Sequence, residues 1–313
     1  MVVHDGRVTA RTVDPMAYAI DSDTYRSGDH QWLDELGERS VFVGRPHNRM
    51  GVRPVAEANW LVVDDHYGRE TKLKARLVTE AKPEVVAFSE GSGPAGDEAA
   101  SLVGRWLDAY HPDSDALADR GSEEALVAAS LKTQEDLCVM ESDRDGRWRF
   151  SAGVVCFPTY WRLADKIGLG QAEVHGPVPD YQDHLEKKVS TFFDRLGPGQ
   201  IMGRRNWGIS AYPLLFLPDL AKVVPPDEFD PAKMWLRSER QTLRRLPSSG
   251  GILFTIKVQM APLVEVAHRP ELAARIVAAV GAWPNELRTG QAGSRPWFDH
   301  AINWLDCSGG ERR

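Results

Sequence analysis

The spacing of hydrophobic residues changes near residue 130. Before it, Leu73 and Leu77 lie four residues apart, and the segment DEAASLVGRWLDAY is apolar every three to four positions. Such spacing places the apolar side chains on one face of a helix. We therefore predict a mostly helical region over 46–130 that packs on the core, with a short strand at 60–63. The polar stretch 1–45 predicts an extension with little core of its own.

The stretch EDLCVMESDRDGRWRFSAGVVCF is rich in strand-forming residues on both sides of Asp145 and Gly146. An Asp-Gly pair between two such runs predicts a β-hairpin. The following TYWRLADKIGLG predicts a short helix that ends at glycine. In DYQDHLEKKVSTFFDRLGPG the apolar residues share one helical face, with Asp180 as N-cap and Gly197 as the stop.

Three more strands are predicted in RRNWGISAYPLLF, in residues 235–246 and in GGILFTIKVQ. Residues 235–246 have helical propensity, but the LPSSGG that follows resembles a turn between antiparallel strands, which favours a strand. A helix in PELAARIVAAVGAW and a Trp-rich tail complete the chain. The predicted fold class is α+β, with a core over 131–265 and a C-terminal helix and tail over 266–313.

Composition excludes several classes of protein. The net charge of −7 and the absence of a basic block argue against non-specific nucleic-acid binding. We expect a soluble cytoplasmic protein, because the first twenty residues lack the apolar core of a signal peptide and no stretch is apolar enough to span a membrane. The three cysteines include no C-x-x-C pair and are expected to be buried thiols.

The segment GSGPAG, residues 91–96, matches the G-x-G-x-x-G pattern of dinucleotide-binding folds. A second buried parallel strand that ends in an acidic residue does not follow it. A loop with a helix start at Asp97 is therefore the better interpretation. H-E-x-x-H, G-x-S-x-G and P-loop patterns do not occur in the chain.

His175 has the most constrained setting of the nine histidines, in AEVHGPVPDY. Pro177 and Pro179 fix their own backbone and favour extended conformations before them, so His175 lies on a rigid approach to a helix. A lone histidine is more often structural than a ligand. A non-haem metal site of His175, His184 and Asp180 is the weaker alternative, because the spacing matches no compact motif.

Arginines are frequent in two of the predicted strands, in RRNWGI and WLRSERQTLRRLP. On a strand, alternate residues share a face. One face then carries Arg237, Glu239, Gln241 and Leu243, and the other carries Ser238, Arg240 and Thr242. A solvated sheet face is the usual interpretation of such charges. A pocket wall with a few convergent polar groups is the alternative.

Four segments in this order carry a resemblance to a known family: LKTQEDLCVM, FSAGVVCFPTYWRLADKIGLGQAEVHGPVPDY, RRNWGI and LRSERQTLRRLPSSGGILFTI. Together with MGVRPVAEANWLVVDDHYGRE, they resemble the haem-dependent oxidative N-demethylase α-subunit family over about residues 48–270. The resemblance implies a PAS-like fold that holds haem b between a helix and an antiparallel sheet. The order of hairpin, short helices, helix and three strands agrees with it.

The resemblance also implies roles for individual residues. His175 would be the iron ligand, and Glu239 would pair with a protonated amine. The other implied contacts, with haem, its propionates or bound oxygen, are Arg204, Asn206, Trp207, Arg237, Arg240, Gln241 and Tyr181. Glu239 and Arg240 are the residues that we expect to serve catalysis.

The implied reaction is oxygen-dependent demethylation of a small secondary amine such as dimethylamine, which gives a primary amine and formaldehyde. Because the chain has no credible flavin or NADPH motif, electrons are expected from a separate reductase. The resemblance implies that this reductase carries flavin and iron–sulfur centres. A haem-binding PAS-type gas or redox sensor without turnover is the main alternative. A PAS-like scaffold without haem is the third.

Overall fold

A computed structural model describes residues 13–26, 28, 30–38, 51–112, 122–174, 186–223, 228–283 and 296–310. These residues form one antiparallel sheet of seven strands in the order β1-β5-β6-β7-β3-β4-β2. The strands are β1 Arg53–Pro54, β2 Val86–Phe88, β3 Asp136–Ser142, β4 Trp148–Val154, β5 Ile201–Ser210, β6 Trp235–Arg245 and β7 Ile252–Pro262. The α+β class is confirmed.

The helices lie before, within and after the strand-rich part of the chain. They are α1 Ser22–Arg26, α2 Trp32–Glu38, α3 Tyr67–Glu80, α4 Lys82–Val85, α5 Gly93–Tyr110, α6 Ser122–Leu131, α7 Gln171–Val174, α8 Glu186–Arg195, α9 Leu263–Ala267, α10 Pro270–Gly281 and α11 Pro296–Gly310. Short 3₁₀ turns occur at Pro15–Tyr18, Glu57–Asn59, Leu163–Asp165, Leu220–Lys222 and Pro231–Lys233. No helix in the described ranges is long and apolar enough to cross a membrane.

The predicted hairpin is confirmed as β3 and β4. Gly146 has a φ of +77°, which a glycine adopts without steric cost. The Asp143 carboxylate accepts the backbone N–H groups of Asp145 at 3.0 Å and Arg147 at 2.9 Å, and so closes the turn.

The strand predicted at 235–246 is also confirmed, although its residues favour helix. It is the central strand of the β5-β6-β7 group, and Arg240 faces Arg205 on β5 and Lys257 on β7. Pairing along both edges satisfies its backbone groups, and this tertiary context overrides the intrinsic propensity.

Several local predictions are wrong. Cys307 is exposed, although all three cysteines are expected to be buried. TYWRLADKIGLG contains only the 3₁₀ turn Leu163–Asp165 in place of the predicted helix. Residues 60–63 form no strand, because the N–H of Val62 donates to the Glu135 side chain at 2.8 Å instead of to a neighbouring strand. Helix α5 begins at Gly93 and not at Asp97, since Pro94 is well suited to a first helical turn. β5 ends at Ser210, so the candidate strand RRNWGISAYPLLF is shorter than predicted.

The structure argues against a dinucleotide-binding fold at GSGPAG, although four of its six residues belong to α5 and not to a loop. β2, which precedes it, pairs antiparallel with β4. A dinucleotide-binding fold needs a parallel strand at this place.

The sheet has a front face and a back face, which we define by β6. Glu239 and Gln241 point to the front, and Arg240 and Thr242 point to the back. On the front, α8 packs through Phe193, whose ring centroid lies 5.3 Å from that of Trp148. On the back, α3 packs through Glu70 against Lys257 of β7.

Candidate functional site

Four of the predicted site residues come together on the front face. In the β5-β6 ladder Asn206 is opposite Glu239, and Arg204 is opposite Gln241. Directly opposite residues of an antiparallel pair lie on the same face with neighbouring side chains. The front face therefore carries a patch of a carboxylate, a guanidinium and two amides.

The Glu239 carboxylate is held in place by hydrogen bonds to both of its oxygens. Its Oε2 accepts a hydrogen bond from Gln241 Nε2 at 2.9 Å, and its Oε1 accepts one from Thr159 Oγ1 at 2.9 Å. The side chain is half-buried. An ionised carboxylate has about four acceptor positions, so each oxygen can still accept from a further donor.

Arg237 lies two positions before Glu239 on the same face and is buried, with only 3% of its surface exposed. Its Nε donates to Thr159 Oγ1 at 2.8 Å, and its Nη1 donates to the Leu214 carbonyl at 2.7 Å. Its Nη2 donates to the carbonyls of Phe157 at 2.8 Å and Leu215 at 3.0 Å. The guanidinium thus fixes two chain segments against the end of β6.

Thr159 is not among the site residues predicted from the sequence, although it contacts both Arg237 and Glu239. It is followed by Tyr160, whose φ of +61° is uncommon for a residue other than glycine. The Tyr160 N–H donates to the Leu217 carbonyl at 2.7 Å, which holds this conformation. The contact between Thr159 and Glu239 joins residues 80 positions apart, and no local pattern signals it.

Two predicted residues lie on the back face, away from Glu239. Arg240 donates through Nη1 to the Trp60 carbonyl at 2.9 Å and through Nη2 to the Asn59 carbonyl. Trp207 is opposite Ser238, and its ring centroid is 5.7 Å from that of Trp283. The structure does not bring Arg240 and Trp207 together with the front-face patch.

The predicted iron ligand, His175, lies outside the described residues, and so do Tyr181, Asp180 and His184. The described chain runs to Val174 at the end of α7 and resumes at Glu186, the start of α8. Within the parts that are described, no group of three histidine, cysteine, aspartate or glutamate side chains could hold a metal ion.

Half-buried apolar side chains continue the front face of the sheet past Gln241, and others lie on α8. Met202 of β5 and Phe254 of β7 are both opposite Leu243 of β6, on the same face as Glu239. Val189 and Phe192 of α8 are half-buried as well, and all four pack against the main apolar cluster. An amphipathic macrocycle needs such a wall, with an apolar surface for its ring and a cation for its carboxylates, so these residues fit a haem.

A family model described as "haem-dependent oxidative N-demethylase, alpha subunit-like" matches residues 51–295. The match covers most of the chain. The chain belongs to this family. Membership in the haem-dependent oxidative N-demethylase alpha-subunit-like family confirms the resemblance that the four sequence segments carried.

The family description makes one statement about the cofactor and one about the assembly. It names haem dependence, which agrees with the apolar wall and the Arg204 guanidinium on the front face. It also names an alpha subunit, which indicates an enzyme of more than one subunit.

Proposed function

We propose that this member of the family catalyses the haem-dependent, oxygen-using N-demethylation of a small secondary amine such as dimethylamine. The products would be a primary amine and formaldehyde. The observation that carries the proposal is the Glu239 carboxylate, held at both oxygens on the front face beside a half-buried apolar wall. The order of hairpin, short helices, helix and three strands supports a PAS-like haem domain.

Haem b would lie on the apolar wall between the sheet and α8. We propose His175 as the iron ligand, because two prolines stiffen the chain that carries it. Arg204 would bind a propionate or bound oxygen, since a guanidinium matches carboxylate geometry. When bound, the haem supplies oxygen activation at its iron.

Glu239 would bind the protonated amine. A secondary ammonium carries two N–H donors, and the two oxygens of Glu239 each accept one hydrogen bond within the protein. The remaining acceptor positions are sufficient for both donors. The carboxylate would therefore neutralise the ammonium and orient its methyl groups away from β6.

The other predicted residues take supporting roles in this proposal. Gln241 fixes Glu239, and Asn206 lies on the exposed side of the patch. Arg237 and Arg240 use guanidinium donors on backbone carbonyls, which favours roles in holding the scaffold. Trp207 packs on the back of the sheet.

Electrons would come from a separate reductase subunit that carries flavin and iron–sulfur centres. The lack of a flavin or NADPH motif and the alpha-subunit description of the family support a separate subunit, and its flavin and iron–sulfur centres are what the family resemblance implies. We propose the cytoplasm as the compartment.

The test is amine binding by the haem-reconstituted protein, followed by its visible absorption spectrum. We expect a Soret band in the wild type that His175→Ala shifts or abolishes, while His268→Ala, a substitution at a largely exposed site, leaves it unchanged. Dimethylamine should perturb this band and release formaldehyde when electrons are supplied. Glu239→Gln should weaken amine binding about tenfold or more, because a charge-assisted contact is lost.

The matched control is Glu90→Gln, at an exposed glutamate beyond β2, which should behave as the wild type. A Soret band that His175→Ala leaves intact would refute the assignment of the ligand. A haem protein that responds to no small secondary amine would favour the gas or redox sensor.

A further inference from the structure

We propose that Thr159 is a positioning residue that orients the Glu239 carboxylate toward the substrate amine. The proposal rests on the function proposed above, since it takes Glu239 as the group that binds the amine. It concerns a residue for which the chain offers no sequence signal, and which acts through Glu239 and not by contact with the substrate.

The direction of the hydrogen bonds follows from the chemistry of the two partners. Arg237 Nε lies 2.8 Å from Thr159 Oγ1, and a guanidinium can only donate. Thr159 Oγ1 therefore accepts this bond, and its single proton is available for Glu239 Oε1 at 2.9 Å. The order Arg237 to Thr159 to Glu239 has one direction, which fixes the rotation of the hydroxyl.

The backbone beneath Thr159 is held from both sides. Arg237 Nη2 binds the carbonyls of Phe157 at 2.8 Å and Leu215 at 3.0 Å, which ties the two segments together. The left-handed φ of Tyr160 is retained next to the patch in spite of its steric cost. Uncommon backbone conformations of this kind persist only where the surroundings over-determine them, and they are frequent at functional sites.

The consequence is a carboxylate whose two oxygens are both restrained before the substrate arrives. Thr159 holds Oε1, and Gln241 holds Oε2. A group that is ordered in advance loses less conformational entropy on binding. Removal of the hydroxyl should therefore weaken amine binding more than it affects the subsequent chemistry.

The experiment compares Thr159→Val, which removes the hydroxyl at nearly constant volume, with Thr159→Ser, which keeps it. In the haem-reconstituted full chain we expect Thr159→Val to raise the Kd of dimethylammonium, measured by calorimetry, by about tenfold. KM should rise in parallel, with a much smaller change in kcat and an unchanged Soret band before amine is added. Thr159→Ser should restore the Kd.

A purely structural threonine would instead lower the haem content and the Tm without this selective change in Kd. Should Thr159→Val fail to bind haem, Thr159→Ala makes the same test without either γ-methyl group. A double-mutant cycle with Glu239→Gln should be non-additive, because Thr159 has no effect on the amine once the carboxylate is gone.

The two proposals fail in different ways. If Glu239→Gln weakens amine binding but Thr159→Val and Thr159→Ala do not, the positioning role is overturned and the amine site stands. If Glu239→Gln leaves the Kd unchanged, the amine site at Glu239 is wrong and the role of Thr159 falls with it.

Discussion

Asp136, the first residue of β3, is a buried carboxylate that binds two backbone N–H groups. It accepts the N–H groups of Cys156 at 2.7 Å and Phe157 at 3.0 Å, just before the segment that contains Thr159. Burial raises the pKa of the Asp136 carboxyl to about 6, while the Lys74 ammonium and the two N–H groups act in the opposite direction.

The sign of the resulting pH dependence follows from the raised pKa. Between the ordinary value of 3.8 and about 6, the folded protein holds this proton and the unfolded chain releases it. The contribution of Asp136 to stability is therefore complete below pH 4 and is lost as the pH rises through 6. We expect it to lower the free energy of unfolding by up to about 3 kcal/mol over this window.

Urea unfolding of the wild type and Asp136→Asn at several pH values between 4 and 7 tests this expectation. The variant lacks the titrating group, so the difference between the two free energies should change across the window. Asp145→Asn, in the exposed turn of the hairpin, should follow the wild type. A difference that is constant with pH would contradict the raised pKa.

Strand alternation was enough to predict which residues of β6 share a face, and the structure places Glu239 and Gln241 together as expected. The same alternation places Arg240 on the opposite face, although Glu239 and Arg240 are the two residues expected to serve catalysis. Alternation gives the direction of a side chain but not what covers it. The hydrogen bonds of Thr159 and Arg237 join chain segments that are far apart in sequence, and no local sequence pattern predicts these contacts.

Gly203 of β5 lies where β1 and the residue that follows it, Val55, approach the sheet closely. A Cβ at this position would lie 2.6 Å from Val55 Cγ2, whose branched side chain has little freedom to move. We expect Gly203→Ala to lower the free energy of unfolding by about 1–3 kcal/mol, by overpacking.

Gly208→Ala is the matched control on the same strand, since nothing lies within 4 Å of its added Cβ. It should change the free energy of unfolding much less. Adding Val55→Ala to Gly203→Ala should recover part of the loss. Equal effects of Gly203→Ala and Gly208→Ala would rule out the steric cause.

Elements with a turn signal at their ends were the easiest to predict. The hairpin around Gly146 and β6, which precedes LPSSGG, are both present. Residues 60–63 are predicted as a strand but form none. A short run can be equally apolar whether it pairs with a strand or is buried in irregular structure, so its composition does not distinguish the two. Trp60 is fully buried, yet its indole Nε1 donates to Thr242 Oγ1 at 3.1 Å.

At the scale of the whole molecule, a buried ionic network joins the N-terminal helices to the back of the sheet. Lys257 Nζ lies 2.5 Å from Glu70 Oε2 and 3.3 Å from Asp64 Oδ2. Tyr25 Oη donates to Glu70 Oε1 at 3.0 Å. Burial would lower the pKa of Lys257, but the carboxylates of Glu70 and Asp64 outweigh it and hold this pKa above its ordinary value.

Lys257→Met should lower the free energy of unfolding by about 3–5 kcal/mol, because it leaves buried carboxylates without their cation. Hydrogen exchange in α3 should become faster. Lys233→Met, at a lysine whose side chain is 80% exposed, should have little effect. In Lys257→Met/Glu70→Gln the loss should be smaller than the sum of the two single changes. Additive losses would show that the pair does not act as a unit.

Fold class and family were within reach of the sequence, because both depend on patterns that extend over most of the chain. The division into 1–45, 46–130, 131–265 and 266–313 stays a prediction. β1 and β2 come from the second of these segments and pair with strands of the third. A sheet assembled from distant segments has few local signs of where one part ends.

The two-sided character of β6 has a consequence for how this chain tolerates change in length. On the back face, Arg240 and Thr242 bind Trp60 of the N-terminal part of the chain. On the front face, the strand carries Glu239 and Gln241. Loss or gain of a single residue between Trp235 and Arg245 would move the side chains beyond that point to the opposite face of the sheet. We therefore expect insertions and deletions to be excluded from this strand even where individual substitutions are accepted.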